Sequence, residues 1–297
     1  MHPNRFPTLR RVCLPACLAL LAAITPTQAE TLYLRTSQST SGSWDSANWA
    51  TTTNGTGSVS APAAGNTYNT NGLILRTPLN AAPATFGGAA LVIDGGSLFL
   101  KANTVTISNL SVTATGGTIQ QTGASTANIP FAVTSFAVDG ATTITSNGNG
   151  RSITFDIGTL TGSGDLNFGT SNTSNTFFVS ATAATAFTGT LSLDESVLNF
   201  NNAFTSGGGL VLSGTGVLAL DQDLVFASVS IGGAPLSAGT YSYTTLKSSY
   251  SAFFSASGSG SITVAPVPEP STYALLFSTA VFLGVARHRL IRRPDKV

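Results

Sequence analysis

The sequence predicts an all-β protein, and two patterns in residues 30–266 support that prediction. Short runs alternate polar and apolar residues between Gly, Asn and Asp, which is the period-two pattern of strands, and no stretch of comparable length has a helical period. Glycine-containing units also recur at spacings of 21, 23, 24, 25 and 20 residues. They begin near Gly96, Gly117, Gly140, Gly164, Gly189 and Gly209. A repeat of this length is typical of one coil of a solenoid.

The repeat length also suggests the shape of the coil. About 22 residues accommodate three short strands with tight turns, and coils stacked about 4.8 Å apart bury one continuous apolar interior. We therefore predict a right-handed parallel β-helix, of about ten coils if every residue takes part, with a β-sandwich as the alternative that the same short strands permit. The clearest predicted strands are Leu98–Lys101, Thr104–Thr113, Ser152–Ile157, Gly189–Leu193 and Leu210–Leu212. Phe155, Phe168 and Phe200 fall on strand positions and are expected in the core.

The composition of this region excludes one class of function. About 30% of residues 30–266 are Ser or Thr, and five bases face ten acids, so the region has a net charge of −5. The bases are Arg35, Arg76, Lys101, Arg151 and Lys247. A protein that binds nucleic acid through a basic surface would show the opposite balance. We expect no nucleic-acid partner.

The N-terminal residues have the pattern of a secretory signal peptide. Met1–Arg11 is basic, Val12–Ile24 is apolar, and small residues stand at Thr27 and Ala29, three positions and one position before the expected cut. Thirteen apolar residues are too few to span a bilayer, which needs about 20. Residues 1–29 are therefore expected to be removed by signal peptidase between Ala29 and Glu30.

The C-terminal residues combine three features in a fixed order. A Ser/Gly-rich linker at 255–266 is followed by Val267, Pro268, Glu269, Pro270 and Ser271, then by an apolar run at 273–285, then by a basic tail. The tail contains Arg287, Arg289, Arg292 and Arg293. A short apolar helix with this tail held in the cytoplasm would stop transfer and leave the proline motif at the outer membrane face. A plain membrane anchor with a proline spacer is the alternative.

Residues 267–297 resemble the PEP-CTERM sorting signal of proteins exported by Gram-negative bacteria. The resemblance implies that an exosortase, a membrane-embedded processing enzyme, recognises Pro268-Glu269-Pro270. It also implies export through the inner membrane, temporary anchoring by the C-terminal helix, and delivery to the cell surface or extracellular matrix.

The repeat region at 30–254, together with the segment that follows it, is similar to the autotransporter-associated β-strand repeats of bacterial surface proteins. The similarity includes the opening segment Gly42–Trp49, and the closing segments Leu236–Tyr241 and Gly258–Val264. It implies a passenger-like solenoid, and no porin-like barrel follows in this sequence.

Few residues of the region offer catalytic chemistry. Both cysteines, Cys13 and Cys17, and both histidines, His2 and His288, lie in the flanking segments, which excludes thiolate, histidine-metal and Ser-His-Asp sites from residues 30–266. Only carboxylates remain as acid-base groups, and we expect no cofactor or metal. Asp221 and Asp223 would stand on one face of a strand about 6.6 Å apart, near the separation of inverting glycosidases. A polar turn or an incidental calcium-binding turn is the simpler interpretation of that pair. The adjacent Asp194 and Glu195 would point to opposite faces of a strand.

The two tryptophans, Trp44 and Trp49, allow two interpretations. Their flat rings could form a platform on which sugars stack. Alternatively, they could cover the apolar end of the first coil, as solenoids require. We favour the end cap.

The sequence thus predicts a non-catalytic exported protein of the cell surface or extracellular matrix. We expect it to associate with exopolysaccharide or another envelope component. Two alternatives stay open: a carbohydrate-active enzyme on a β-helix, either a polysaccharide lyase or a glycoside hydrolase, and an adhesin with a protein partner.

Overall fold

The computed structural model describes residues 29–81, 83–122, 128–169 and 174–266 of the 297-residue chain. The structure is 50% strand and 6% helix, which confirms the all-β prediction. The strands, in chain order, are β1 (Thr31–Leu34), β2 (Asn48–Ala50), β3 (Ser58–Val59), β4 (Thr67–Asn69), β5 (Ile74–Arg76), β6 (Ala84–Thr85), β7 (Ala90–Ile93), β8 (Ser97–Leu100), β9 (Val105–Val112), β10 (Gly117–Gln121), β11 (Asn128–Val138), β12 (Thr142–Ser146), β13 (Ser152–Thr161), β14 (Leu166–Phe168), β15 (Thr176–Ala183), β16 (Thr190–Leu193), β17 (Val197–Phe200), β18 (Phe204–Thr205), β19 (Gly209–Leu212), β20 (Val217–Ala219), β21 (Leu224–Phe226), β22 (Ser228–Ile231), β23 (Ala234–Pro235), β24 (Gly239–Ser242) and β25 (Ser261–Val264). The described residues also form one α-helix, α1 (Tyr243–Ser249), and two 3-10 turns at Trp44–Ser46 and Ser251–Phe253.

Successive coils pair in parallel and in register, so the fold is a β-solenoid. In β10, for example, Ile119 lies opposite Leu98 of β8 on one side and opposite Ile144 of β12 on the other. The sandwich alternative is wrong, because its sheets would be antiparallel. The solenoid has about six regular turns, from β4 to β17. The prediction of ten was too high because residues at both ends of the region form caps instead of coils.

Each coil has three faces, as the repeat length predicted. The first face contains β6, the first halves of β9, β11 and β13, and then β15, β17 and β20. The second face contains β1, β4, β7 and the second halves of β9, β11 and β13, and it continues into β18, β21 and β25. The nine-stranded sheet from β5 to β23 is the third face. In β9 the alternation of buried and exposed residues slips by one at Ser108–Asn109, where two adjacent residues are both exposed. This slip lets one continuous strand turn the corner between two faces.

The six repeat glycines mark where the third face begins in each coil. Each lies at, or within two residues before, the first residue of β8, β10, β12, β14, β16 or β19. Successive backbones approach closely here: a Cβ added to Gly189 would overlap the carbonyl oxygen of Gly164, and one added to Gly164 would meet the backbone of Gly140. The repeat signal in the sequence therefore arises from a steric requirement between coils.

The interior is apolar and aromatic along most of its length. Phe155, Phe168 and Phe200 are all buried, as predicted. Ring centroids are 5.3 Å apart for Phe131 and Phe155 and 5.5 Å apart for Phe168 and Phe177. The first contact joins neighbouring coils within the first face, and the second joins the third face to the first, so the core is continuous.

The N-terminal end is closed by antiparallel strands. β1 pairs in parallel with β4 but antiparallel with β2, and β2 pairs antiparallel with β3. We call residues 35–66 the N-terminal cap. The sheet now ends in β3, which has only two residues, and so short an edge strand discourages pairing with another chain.

The C-terminal end is closed in the same way. β23 pairs antiparallel with β22, and β24 pairs antiparallel with β25. Helix α1 begins after Ser242, whose side chain accepts a hydrogen bond from Thr245 N, and it buries Leu246. The predicted linker at 255–266 is part of this cap, because β25 lies within it and buries Ile262 and Val264. The prediction of a linker was wrong, because these Ser and Gly residues lie in a paired strand and in the turn before it.

Candidate functional site

The predicted processing residues lie at or beyond the edges of the described structure. Ala29 and Glu30 are exposed immediately before β1, and Glu30 already contacts the next coil, since its backbone N–H donates to Asn66 Oδ1 at 3.1 Å. The rest of the predicted signal peptide, the sorting motif at 267–271 and the basic tail lie outside the described residues. Within the described ranges, no helix is long and apolar enough to cross a membrane.

The structure places both tryptophans in the core of the N-terminal cap. Trp44 is fully buried and Trp49 is 3% exposed. Trp44 packs edge-on against Phe86 at 5.3 Å, and Trp49 packs against Tyr68 at 4.8 Å. A sugar cannot stack on rings that solvent does not reach. The platform interpretation is therefore wrong, and the end-cap interpretation is supported.

Aspartates at the turns are used to join neighbouring coils. Asp165 Oδ1 accepts a hydrogen bond from Thr190 N at 2.9 Å, and Asp194 Oδ1 accepts one from Ser213 Oγ at 3.0 Å. Asp223, one of the two residues with glycosidase-like spacing, accepts from Ser261 Oγ of β25 at 2.8 Å. Nothing in the structure gathers these side chains around one space, and the described residues contain no group of three or more Asp, Glu, His or Cys that could hold a metal ion.

Asp94 is the most strongly engaged of these carboxylates. Its Oδ1 accepts hydrogen bonds from the hydroxyls of Thr113 and Thr115, each at 2.7 Å, while Asn69 Nδ2 is 3.4 Å from Oδ2. The bonds from Thr113 and Thr115 hold the pKa of Asp94 below the ordinary value of an aspartate, against a smaller opposing effect of burial. Asp94 is therefore a charged link between two coils.

A shallow groove on the first face contains an aspartate that the sequence analysis did not single out. The groove has a volume of about 280 Å³. It is lined by Thr106, Ala132, Val133, Thr134, Asp156, Gly158 and Thr182. Asp156 is an outward position of the predicted strand at 152–157, but only the pairing of β9, β11 and β13 shows that threonines from neighbouring coils surround it.

A second pocket lies in the N-terminal cap and was also not predicted. Its volume is about 260 Å³. The lining residues are Thr36, Ser37, Gln38, Ser41, Gly42, Ser46, Asn48 and Val59. The only signal in the sequence was the polar composition around Trp44 and Trp49.

Two of the five bases come together at the edge of the third face. Arg76 ends β5 and is buried, and neither its Nε nor its Nη1 has a hydrogen-bond partner. Lys101 follows β8, where its backbone N–H donates to Thr77 Oγ1 at 2.7 Å. Burial and the charge of Arg76 lower the pKa of Lys101. The pair makes this edge locally positive on a region that is acidic overall.

The third face presents a long row of uncharged side chains. In-register pairing aligns outward residues of seven consecutive strands, from β8 to β22. The row is Ser97, Thr118, Thr143, Asn167, Ser192, Val211 and Ser230. Six of the seven can donate and accept hydrogen bonds, and neighbours are separated by the strand spacing of about 4.8 Å.

The comparisons with known proteins add no family assignment. No family model matches the chain, and neither the search of curated proteins nor the search of solved structures finds a match.

Proposed function

We propose that this chain is a non-catalytic, exported protein of the cell surface or extracellular matrix of a Gram-negative bacterium. It associates with exopolysaccharide or another envelope component through the third face of its solenoid. The observation that carries the proposal is the uncharged row on the third face. A regular array of hydroxyl and amide groups suits many weak hydrogen bonds to a repeating hydroxyl-rich polymer, and the sum of such contacts gives avidity.

The flanking segments supply the route to that location. Signal peptidase releases the chain between Ala29 and Glu30, and an exosortase-type enzyme processes it at Pro268-Glu269-Pro270. Before processing, the apolar run and the basic tail hold the chain in the membrane. We also propose that the coil is right-handed, as the sequence analysis predicted.

The first test of binding is cosedimentation of the protein with envelope polysaccharide from its native host. Wild-type protein is expected in the pellet. A variant with Thr118→Glu and Thr143→Glu, which places two charges in the middle of the row, is expected largely in the supernatant. The control variant, Thr134→Glu with Thr182→Glu, alters two positions of the first face. Equal pelleting of all three proteins, or no pelleting of the wild type, would contradict the proposal.

The first test of sorting is the intact mass and C-terminal sequence of the protein recovered from the envelope. Loss of the tail near Pro268-Glu269-Pro270, abolished by Glu269→Gln, is the expected result. A chain that still ends at Val297 would show that residues 267–297 are a plain anchor.

One observation favours a second candidate, a carbohydrate-active enzyme. Asp156 stands in a groove between threonines, where a glycan could lie across the coils. Hydrolysis normally uses two carboxylates. Activity on a broad glycan panel that is lost in Asp156→Asn, with the fold intact, would favour this candidate over the binding protein.

A further inference from the structure

The pocket of the N-terminal cap, which we call the cap pocket, has a rigid floor. Gln38 is 6% exposed and makes three hydrogen bonds. Its backbone N–H donates to Ile74 O at 2.8 Å, its Oε1 accepts from Arg76 N at 3.1 Å, and its Nε2 donates to Ser43 O at 2.6 Å. These bonds attach the loop at 36–42 to the free edge of β5, so the pocket is formed before any ligand arrives.

The loop returns over Gln38 at a glycine. Gly42 has a φ of +87°, which L side chains rarely adopt, and a Cβ there would lie 3.0 Å from Gln38 Nε2. Gly42 thus shapes the wall that faces the floor.

The chemistry of the walls is neutral and rich in hydroxyls. Thr36, Ser37, Ser41 and Ser46 contribute four hydroxyl groups, each able to donate and accept, and no ionisable side chain lines the pocket. Asn48 also lines this wall, with its Oδ1 buried below the surface of the pocket.

The rim adds one apolar contact. Val59 is 70% exposed and is one of only two large apolar side chains exposed among the described residues. An exposed valine beside a ring of hydroxyls offers a surface for the C–H face of a sugar, which is apolar, while the hydroxyls meet its polar edge. The volume of about 260 Å³ lies at the small end of ligand pockets, so it suits one sugar unit better than a chain.

We propose that the cap pocket binds a single neutral, hydroxyl-bearing sugar unit, at the end or at a branch of the polysaccharide with which the protein associates. This inference rests on the proposed function and adds to it a discrete site and a class of ligand. Binding at one unit complements the distributed contacts of the third face.

The test is titration of the full-length chain with glucose, galactose, mannose and N-acetylglucosamine, with galacturonate as the acidic comparison. At least one neutral sugar is expected to saturate in the millimolar range, more tightly than galacturonate. Ser41 is exposed and lines the pocket, so the ring of Ser41→Trp would fill it. We expect this variant to bind the neutral sugar at least tenfold more weakly than the wild type. Val59→Ala is expected to weaken that binding about two- to fivefold.

Ser249→Trp is the matched control, because it places the same bulky ring at an exposed serine of helix α1, in the C-terminal cap and outside both pockets. It is expected to leave sugar binding unchanged, and unaltered circular dichroism and Tm would show that each variant folds. Unchanged binding by Ser41→Trp, a preference for galacturonate, or no saturation by any neutral sugar would overturn the inference.

Cosedimentation separates this inference from the proposed function. Wild-type protein that pellets with polysaccharide but binds no single sugar would overturn the cap pocket alone. Protein that binds a neutral sugar in the pocket without pelleting would support the pocket and contradict the wider function.

Discussion

Four aspartates of the solenoid accept hydrogen bonds from the neighbouring coil, and Asp94 accepts two from threonine hydroxyls. An ionised carboxylate only accepts hydrogen bonds, whereas a protonated carboxyl carries an O–H donor and keeps only part of its capacity to accept. The link between these coils therefore depends on pH.

We predict that replacing Asp94 by Asn makes the protein less sensitive to acid. Because the pKa of Asp94 is lowered in the folded state, its contribution to stability is complete above the unfolded pKa, near pH 4, and is lost as the pH falls through the lower folded pKa. The site is solvent-exposed, so the contribution is less than about 1 kcal/mol. Urea unfolding of both proteins between pH 6 and pH 3 measures it.

Thr113→Val is the companion variant, because it removes one donor and keeps the carboxylate. It should lie between the wild type and Asp94→Asn in its loss of stability on acidification. Parallel pH profiles for all three proteins would show that these hydrogen bonds do not act as a link.

Single residues also show where sequence reasoning succeeds and where it stops. The spacing of Phe155, Phe168 and Phe200 along strands was enough to place them in the core. The cap pocket was not predictable, because Gln38, Asn48 and Val59 are separated by up to 21 positions and meet only through the antiparallel pairing of β1, β2 and β3. Asp156 was hidden for the same reason, since its neighbours come from three different coils.

At the scale of elements, the glycine column is the feature that most directly links sequence to structure. Four of the strand-initiating glycines lie where one backbone passes against the next, so a side chain has no room: Gly96, Gly140, Gly164 and Gly189. Gly189 and Gly164 are adjacent members of this column.

We predict that Gly189→Ala destabilises the protein by about 1–3 kcal/mol, the usual cost of forcing extra atoms into a packed contact. Gly169→Ala is the matched control. A Cβ at Gly169 would meet no atom within 4 Å, so this change should be neutral or slightly stabilising through lower backbone entropy in the unfolded chain. Chemical denaturation of both variants gives the comparison, and equal stability of the two would contradict the steric explanation.

The elements that sequence reasoning missed are short and held by tertiary contacts. Helix α1 has seven residues, includes two threonines, and buries only Leu246, so no periodic pattern could reveal it. Strand β25 lies in a Ser/Gly-rich stretch that has the composition of a linker, yet it pairs with both β21 and β24. The coils were predictable because each one repeats the same strand and glycine positions. Each cap occurs only once in the chain, so it leaves no repeat in the sequence.

For the whole molecule, the two caps cover the apolar ends of the stacked coils. A solenoid is stabilised coil by coil through contacts between neighbours, so its ends are its weakest parts unless they are covered. The paired aromatic rings of Trp44, Phe86, Trp49 and Tyr68 cover the N-terminal end here.

We predict that Trp44→Ala lowers the free energy of unfolding by about 3–5 kcal/mol, the usual cost of removing a large buried aromatic side chain. The loss should be local, so native-state hydrogen exchange should show faster exchange in β1, β4 and β5, with little change in β16 and β19. Val59→Ala, at an exposed position of the same cap, should change stability by less than about 0.5 kcal/mol. Uniform loss of protection along the whole stack would contradict a coil-by-coil view.

The chain enters the stack at one end, through β1, and leaves it near the other, through β25. The eight parallel strands of the nine-stranded sheet, from β5 to β22, separate these ends by about 34 Å. If the chain is attached through the residues that follow position 266, the N-terminal cap lies at the end of the stack away from the attachment. The loop at 36–42 would then be at the outermost tip, where a passing polymer meets it before it meets the sides of the column.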